Sequence, residues 1–268
     1  MTTPPVDGAA ATVTHLRTTP IKGFTMRESP SLSLTGTGVV GDRAFFMVDD
    51  ADKLMSATRT PSFLPYWARY EPEVLTIGRG DDVLLSEEVA DGEPVRAHFF
   101  ADRYATGHVV PGPWSKVLSE IAGQRIRLVR AADPLGGYDV HRVSLASEES
   151  VEALAGEADA DRIDGRRFRM TVMVQGVPPF TEDTWTGGLV QVGESVVRVE
   201  VPIRRCAAVQ KHPDGLESRA DPLRRIKEVR GSMTSRNGRG LHLGVYGEVV
   251  QPGLVRVGDA VRQVDAPS

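Results

Sequence analysis

Cysteine is nearly absent: among 268 residues there is one, Cys206. A single thiol cannot close an intramolecular disulfide, and it leaves no Cys-x-x-Cys pair for structural zinc or dithiol redox chemistry. The cytoplasm is therefore the expected compartment. No apolar run approaches the roughly 20 residues needed to cross a bilayer, so a soluble protein with no membrane partner is expected. Met1–Ala11 has no basic stretch ahead of an apolar one; it does not read as a signal peptide and is expected to be a disordered tail. The six histidines are scattered without a His-Glu-x-x-His pair, and no Gly-x-Ser-x-Gly elbow occurs, which removes support for a zinc peptidase or a serine hydrolase. A net charge of −4 gives no general reason to bind nucleic acid, although Arg166-Arg167-Phe168-Arg169 could build a local basic pocket.

What the chain does have is turn formers, 27 Gly and 18 Pro, which favour short strands over long helices. Alternating or apolar runs predict strands at Val13–Thr18, Ser31–Thr35, Arg43–Val48, Glu73–Ile77, Val83–Leu85 and Val95–Phe100. A helix is predicted over Pro113–Ile121, with Pro near its start and Gly123 just beyond its end. Ala131–Arg142 shows weak periodicity and reads as a seam between halves. A second helix is expected over Ser147–Leu154, with Ser147 as N-cap, Glu148 and Glu149 in its first turn and Gly156 after it. Strands return at Phe168–Gln175, Gly188–Val192, Val196–Val201 and Cys206–Val209. A third helix over Pro222–Val229 and a closing strand pair, His242–Val250 and Leu254–Gln263, complete the chain. The expected fold class is mainly β with a few helices: a β-barrel domain over residues 12–130 followed by a second barrel over 131–268.

Gly36-Thr37-Gly38-Val39-Val40-Gly41 has the spacing of a dinucleotide fingerprint, but Asp42–Val48 continues as a strand rather than the required helix, so a turn is expected. His212, beside Pro213-Asp214-Gly215, reads as a solvated loop residue, and Trp185 as a packing anchor. Cys206 could be a small buried hydrophobe. Arg204 and Arg205 before it could instead favour the thiolate, the form that binds soft metals or attacks electrophiles.

Several segments carry a resemblance in order and spacing. Arg167-Phe168-Arg169, Glu182-Asp183-Thr184-Trp185, Arg205-Cys206, Pro213-Asp214-Gly215 and Val257-Gly258-Asp259 resemble the MOSC domain, which also occurs in molybdenum-cofactor sulfurases and in the amidoxime-reducing component. Thr19-Pro20-Ile21-Lys22-Gly23 and Gly41-Asp42-Arg43-Ala44-Phe45 resemble the N-terminal β-barrel domain that accompanies it. The resemblance implies a molybdenum cofactor (molybdenum held by a pterin dithiolene), with Cys206 as the catalytic residue and the protein's thiolate ligand to the metal. It further implies cofactor-binding roles for Lys22, Gly23, Arg43, Ser147, Arg169, Thr171 and Arg205. Arginine suits a phosphate through paired donors, lysine adds a compact charge, and Ser147 would lie at a helix start. Two departures stand out: Phe168-Arg169-Met170-Thr171 replaces a common Phe-Arg-Pro-Asn, and Gln210-Lys211-His212 replaces a Thr-rich stretch.

The function implied is a reductase of N-hydroxylated or other N-oxygenated small molecules, with a separate electron-donor protein (flavin, haem or iron–sulfur) because no ferredoxin-like cysteine cluster follows the domain. Two alternatives stay open: a sulfur carrier holding a Cys206 persulfide, and a non-catalytic carrier of the cofactor.

Overall fold

The computed structural model describes residues 10–132, 135–155, 162–236 and 238–265. Residues 1–9 of the expected tail and Gly156 lie outside the described residues. Ala11 is not tail: it opens a strand and is fully buried.

Seven strands close into a barrel. Around it run Val172–Gln175, Val143–Ser147, His242–Gln251, Ser195–Arg204, Leu189–Val192, Ala260–Val264 and Ala11–Thr18, the last pairing back onto the first. Only Val143–Ser147 against Val172–Gln175 is parallel among these pairs. Side chains of successive strand residues point to opposite faces. Along Ser195–Arg204 this places Val197 and Val199 in the barrel core and leaves Arg198 exposed. Val13, Val172, Val190, Val245 and Val261 join them there, and Trp185 closes the core as the expected anchor. Full closure leaves this sheet without an unpaired edge.

The rest of the N-terminal portion contains a four-stranded sheet, Phe45–Val48, Arg127–Ala131, Arg103–Val109 and Pro94–Phe100, and a three-stranded one, Tyr66–Glu71, Val74–Arg79 and Asp82–Glu88. Helix α1, Trp114–Ala122, covers their shared core with Trp114 and Leu118 and stops at Gly123 in the left-handed region. Helix α2 is Glu148–Glu152, capped by Ser147, and helix α3 is Pro222–Arg230, capped by Asp221. No helix among the described residues is long and apolar enough to cross a membrane.

A boundary at 130/131 does not separate the strands. Ala11–Thr18 completes the barrel of the C-terminal half, and Ser31–Thr35 pairs with Gly253–Arg256. A single strand far from its partners in sequence carries no mark of which sheet it joins, because pairing is set by tertiary contacts. Three further expectations need correction. Cys206–Val209 is no strand: Cys206 precedes a 3-10 turn, Ala207–Gln210. Phe168–Gln175 begins as a 3-10 turn, Gly165–Phe168, and extends only from Val172; Arg169 between them is left-handed. Leu254–Gln263 is two strands, broken by the turn at Val257-Gly258-Asp259. Gly36–Gly41 forms the hairpin of Ser31–Thr35 with Gly38–Val39, as the turn reading expects.

One glycine fixes the strand that faces the site. Between Pro202/Arg204 and Val245/His242 the register slips, a bulge that accommodates Gly244 at φ +69°. A Cβ there would sit 2.8 Å from the Leu145 carbonyl oxygen and 2.9 Å from the Met170 methyl carbon. Gly244→Ala is therefore expected to destabilise the protein by about 1–3 kcal/mol, read as a lowered midpoint in urea unfolding. It should also disturb Leu243, whose carbonyl holds Arg205.

Candidate functional site

A cavity of about 640 Å³ lies between the outer face of the barrel and the N-terminal sheets, within the size range of small-molecule and cofactor sites. Tyr246 points outward because its neighbours Val245 and Gly247 are inward or buried, and Ser144, its partner across the strands, lines the same wall. Seven cations border the cavity (Lys22, Arg43, Arg142, Arg167, Arg169, Arg204 and Arg205) against one carboxylate, Asp139. Such an excess suits an anionic ligand.

Of the eight residues singled out by sequence, Lys22, Gly23, Arg43, Arg169, Thr171, Arg205 and Cys206 line this cavity, and Ser147 does not. Cys206 is exposed, so it is not a buried hydrophobe. It follows directly on the strand that ends at Arg204, where the chain turns away from the barrel. Arg43 and Arg169 both sit in the left-handed region, at φ 50° and 54°, as does Ala101 on the cavity wall at φ 44°. Non-glycine residues adopt this conformation at a cost, and such strain gathers where surroundings over-determine the backbone. At Arg43 they do: its amide donates to Thr19 at 2.7 Å, and its carbonyl accepts from Gly137 at 2.9 Å.

The cations differ in how they are held. Lys22 is buried and donates to Asp139 at 2.8 Å; burial pushes its amine below the ordinary value, with Asp139 opposing. At the half-exposed Asp139 desolvation works against the charge, but Lys22, with Arg43 and Arg103 beside it, holds that carboxyl down. The Arg43 guanidinium is paired with Asp42 and lies over the Tyr138 ring, and despite burial these neighbours raise its pKa. Arg169 and Arg205 have no carboxylate partner among the described residues. Arg169 donates to the Phe24 carbonyl at 2.7 Å, while Arg205 reaches the carbonyls of Leu243 and Phe168. Burial lowers each to about 10, helped at Arg169 by the charge of Arg43. Arg167 is buried, and among the described residues its Nε finds no acceptor. Buried cations held by neutral carbonyls are costly unless an anion joins them.

Thr171 is tied to its neighbour: its hydroxyl lies 3.1 Å from that of Ser144, which also accepts from the Thr171 amide at 2.9 Å. Ser147 does cap α2, accepting from the Ser150 amide. The place an external anion would take is filled from within, because Glu182 accepts from the hydroxyls of Ser147 and Ser150 at 3.2 and 2.9 Å. Burial raises the Glu182 pKa. Among the described residues the expected anion site at this helix start is thus an internal carboxylate site.

Sequence reasoning missed the segment Tyr138-Asp139-Val140-His141-Arg142, all of which lines the cavity, because it has no periodicity. Its density of aromatic, acidic and basic residues was the available signal. It also missed Tyr246, whose outward position follows from strand alternation within His242–Gln251. The Tyr246 hydroxyl is pushed up to about 12, chiefly by burial. His212 is partly shielded and lies near Asp164 and Asp214 rather than on the cavity, and Arg166 bridges those two carboxylates.

Glu248 joins His141 at 2.8 Å and Arg142 at 2.6 Å. Burial works against its charge, but these two partners hold its carboxyl below the ordinary 4.5. A lowered folded-state value means that the unfolded chain binds the proton first, so this contribution is present above pH 4.5 and lost as pH falls through the lowered value. Urea midpoints should fall on acidification from pH 6 to 3, and Glu248→Gln should lose less over that range than wild type. Equal losses would show that the cluster contributes nothing.

The MOSC-domain profile matches residues 133–262. Mitochondrial amidoxime-reducing component 1 of Xenopus laevis is 28% identical over 142 residues, covering 52% of this chain and 40% of that protein. Its counterpart in Danio rerio is 30% identical over 133 residues, covering 49% and 40%. The chain thus spans about two fifths of the length of these curated relatives. Among solved structures, the YUAD protein of Bacillus subtilis aligns over 94% of both chains with a TM-score of 0.43 and 14% identity. The chain therefore contains a MOSC domain over residues 133–262, a domain family associated with the molybdenum cofactor.

Proposed function

We propose that this protein is a molybdenum-cofactor-dependent reductase of N-oxygenated small molecules, such as hydroxylamines and amidoximes. The observation that carries the reading is the pairing, in one cavity, of an exposed thiol with two partly buried guanidiniums that have no carboxylate partner among the described residues: Cys206 with Arg169 and Arg205. The donor set fits the cofactor. A thiolate suits a soft metal, and partly buried guanidinium donors suit a phosphate and a pterin.

Cys206 would hold the metal, while Lys22, Arg43, Arg169 and Arg205 would hold the pterin and its phosphate. The bound group would supply two-electron chemistry at the metal. The chain's own contributions are the thiolate, a charge field that retains an anion, and walls that limit what enters. Gly23 lies on the wall at φ +98°, where a Cβ would meet only ordinary van der Waals contacts, so it is the left-handed backbone and not crowding that calls for glycine there. Electrons would come from a separate flavin, haem or iron–sulfur protein.

The exposure of Cys206 also favours a second reading, a sulfur carrier, because an acceptor could reach a persulfide there. Turnover separates them. Protein prepared with its cofactor and supplied with a chemical electron donor should reduce a hydroxylamine or amidoxime. A metal-free protein bearing sulfane sulfur, with no such turnover, would refute the reductase and support the carrier.

A further inference from the structure

Reduction of an N–O bond consumes two protons as well as two electrons. For a hydroxylamine, the N–O bond breaks, one proton goes to nitrogen, the oxygen leaves as water with the other, and the donor protein supplies the electron pair. A group on the cavity wall that can carry a proton would serve that need. Tyr246 is a poor source, since its hydroxyl is pushed up to about 12. The Asp139 carboxyl is held down by Lys22 and remains ionised. Thr171 and Ser144 bond each other.

His141 is different. It lines the cavity beside Tyr246, with ring centroids 5.9 Å apart. Its Nδ1 faces Glu248 Oε1 at 2.8 Å. Because that carboxyl is ionised and can only accept, Nδ1 must be the donor. This fixes the tautomer and leaves Nε2 as the exchanging atom, and no hydrogen bond to Nε2 exists among the described residues. Arg142, adjacent in the chain, takes the other oxygen of Glu248 at 2.6 Å and locks the carboxylate in place. Glu248 and Tyr246 face the imidazole from the opposing strand, and Arg142 flanks it on its own segment. A carboxylate that orients one ring nitrogen so that the other can act is the arrangement general acid catalysis requires.

We propose that His141, oriented by Glu248, delivers protons from solvent to the N-oxygenated substrate through Nε2. The imidazolium gives its Nε2 proton to the departing oxygen or the nitrogen, and the neutral ring takes the next proton from bulk water. Glu248 is a positioning residue that holds the Nδ1 proton and stays ionised through the relay. This inference rests on the proposed reduction and deepens it.

The test compares wild type, His141→Gln and Glu248→Gln in single turnovers of chemically reduced, cofactor-loaded protein with a hydroxylamine. His141→Gln should slow the rate by about a hundredfold, and added imidazole should restore part of it. Glu248→Gln should slow the rate less than His141→Gln does, and in its nitrogen-15 spectrum part of the neutral-ring population should move to the Nε2-protonated tautomer, because the acceptor that fixes Nδ1 as the donor is weakened. Independently of loading, nitrogen-15 NMR of the wild-type imidazole should show the proton on Nδ1 in the neutral ring. A wild type without turnover overturns the reduction and the relay together. Turnover that persists unchanged in His141→Gln, with the same pH profile, overturns the relay alone, as does a neutral ring protonated on Nε2.

Discussion

Cys206→Ala is expected to lower reduction of a hydroxylamine or amidoxime by more than about a hundredfold, since outer-shell partners of metal ligands already cost 10–100-fold and a direct ligand costs more. The fold should barely register the change. The side chain is exposed and precedes a 3-10 turn rather than packing in a strand, so its removal creates no cavity and should move stability by no more than about 0.5 kcal/mol. Thermal melting and turnover measured on the same preparations check both halves. Near-normal turnover in the variant would mean that this thiol is not the functional ligand. A large loss of melting temperature would mean that it is structural after all.

Arg169→Met should show the opposite division between stability and function. The guanidinium is partly buried, depressed to about 10 by desolvation and held by a carbonyl, with no carboxylate on it among the described residues. Replacing a buried, poorly compensated charge by an apolar side chain of similar length is commonly neutral or stabilising. The cofactor-free variant should therefore melt at the wild-type temperature or a few degrees higher. Cofactor retention should fall by roughly ten- to a hundredfold, the worth of a charge-assisted hydrogen bond. Competition between wild type and variant for limiting cofactor, followed by metal analysis, measures the ratio. Equal retention with lower stability would show that Arg169 serves the fold.

The elements with local signatures were legible in the sequence. Pro113 and Gly123 bracket α1, Asp221 and Pro222 open α3, and Ser31–Thr35 was read with its observed ends. What the sequence hid depends on partners distant along the chain. Nothing in Ala11–Thr18 says that it closes a barrel with Val172–Gln175, more than 150 residues away. The site divides in the same way. Lys22, Arg43, Arg169, Arg205 and Cys206 were singled out because their motifs resemble a family, and all border one cavity. Ser147 was misplaced because a helix start looks like an anion site until Glu182, 35 residues on, is seen to fill it. His141 escaped notice because it lies in a stretch without period, and its chemistry depends on Glu248, 107 residues away.

The central claim is that this cavity holds a molybdenum cofactor through Cys206. Its most direct measurement is the molybdenum and pterin content of freshly purified wild-type protein from a cofactor-producing host, read beside Cys206→Ala prepared identically. The account predicts about one molybdenum and one pterin per wild-type chain, with the metal or its thiolate absorption lost in the variant. Wild-type protein free of both, from a host that loads other molybdenum proteins, would contradict it.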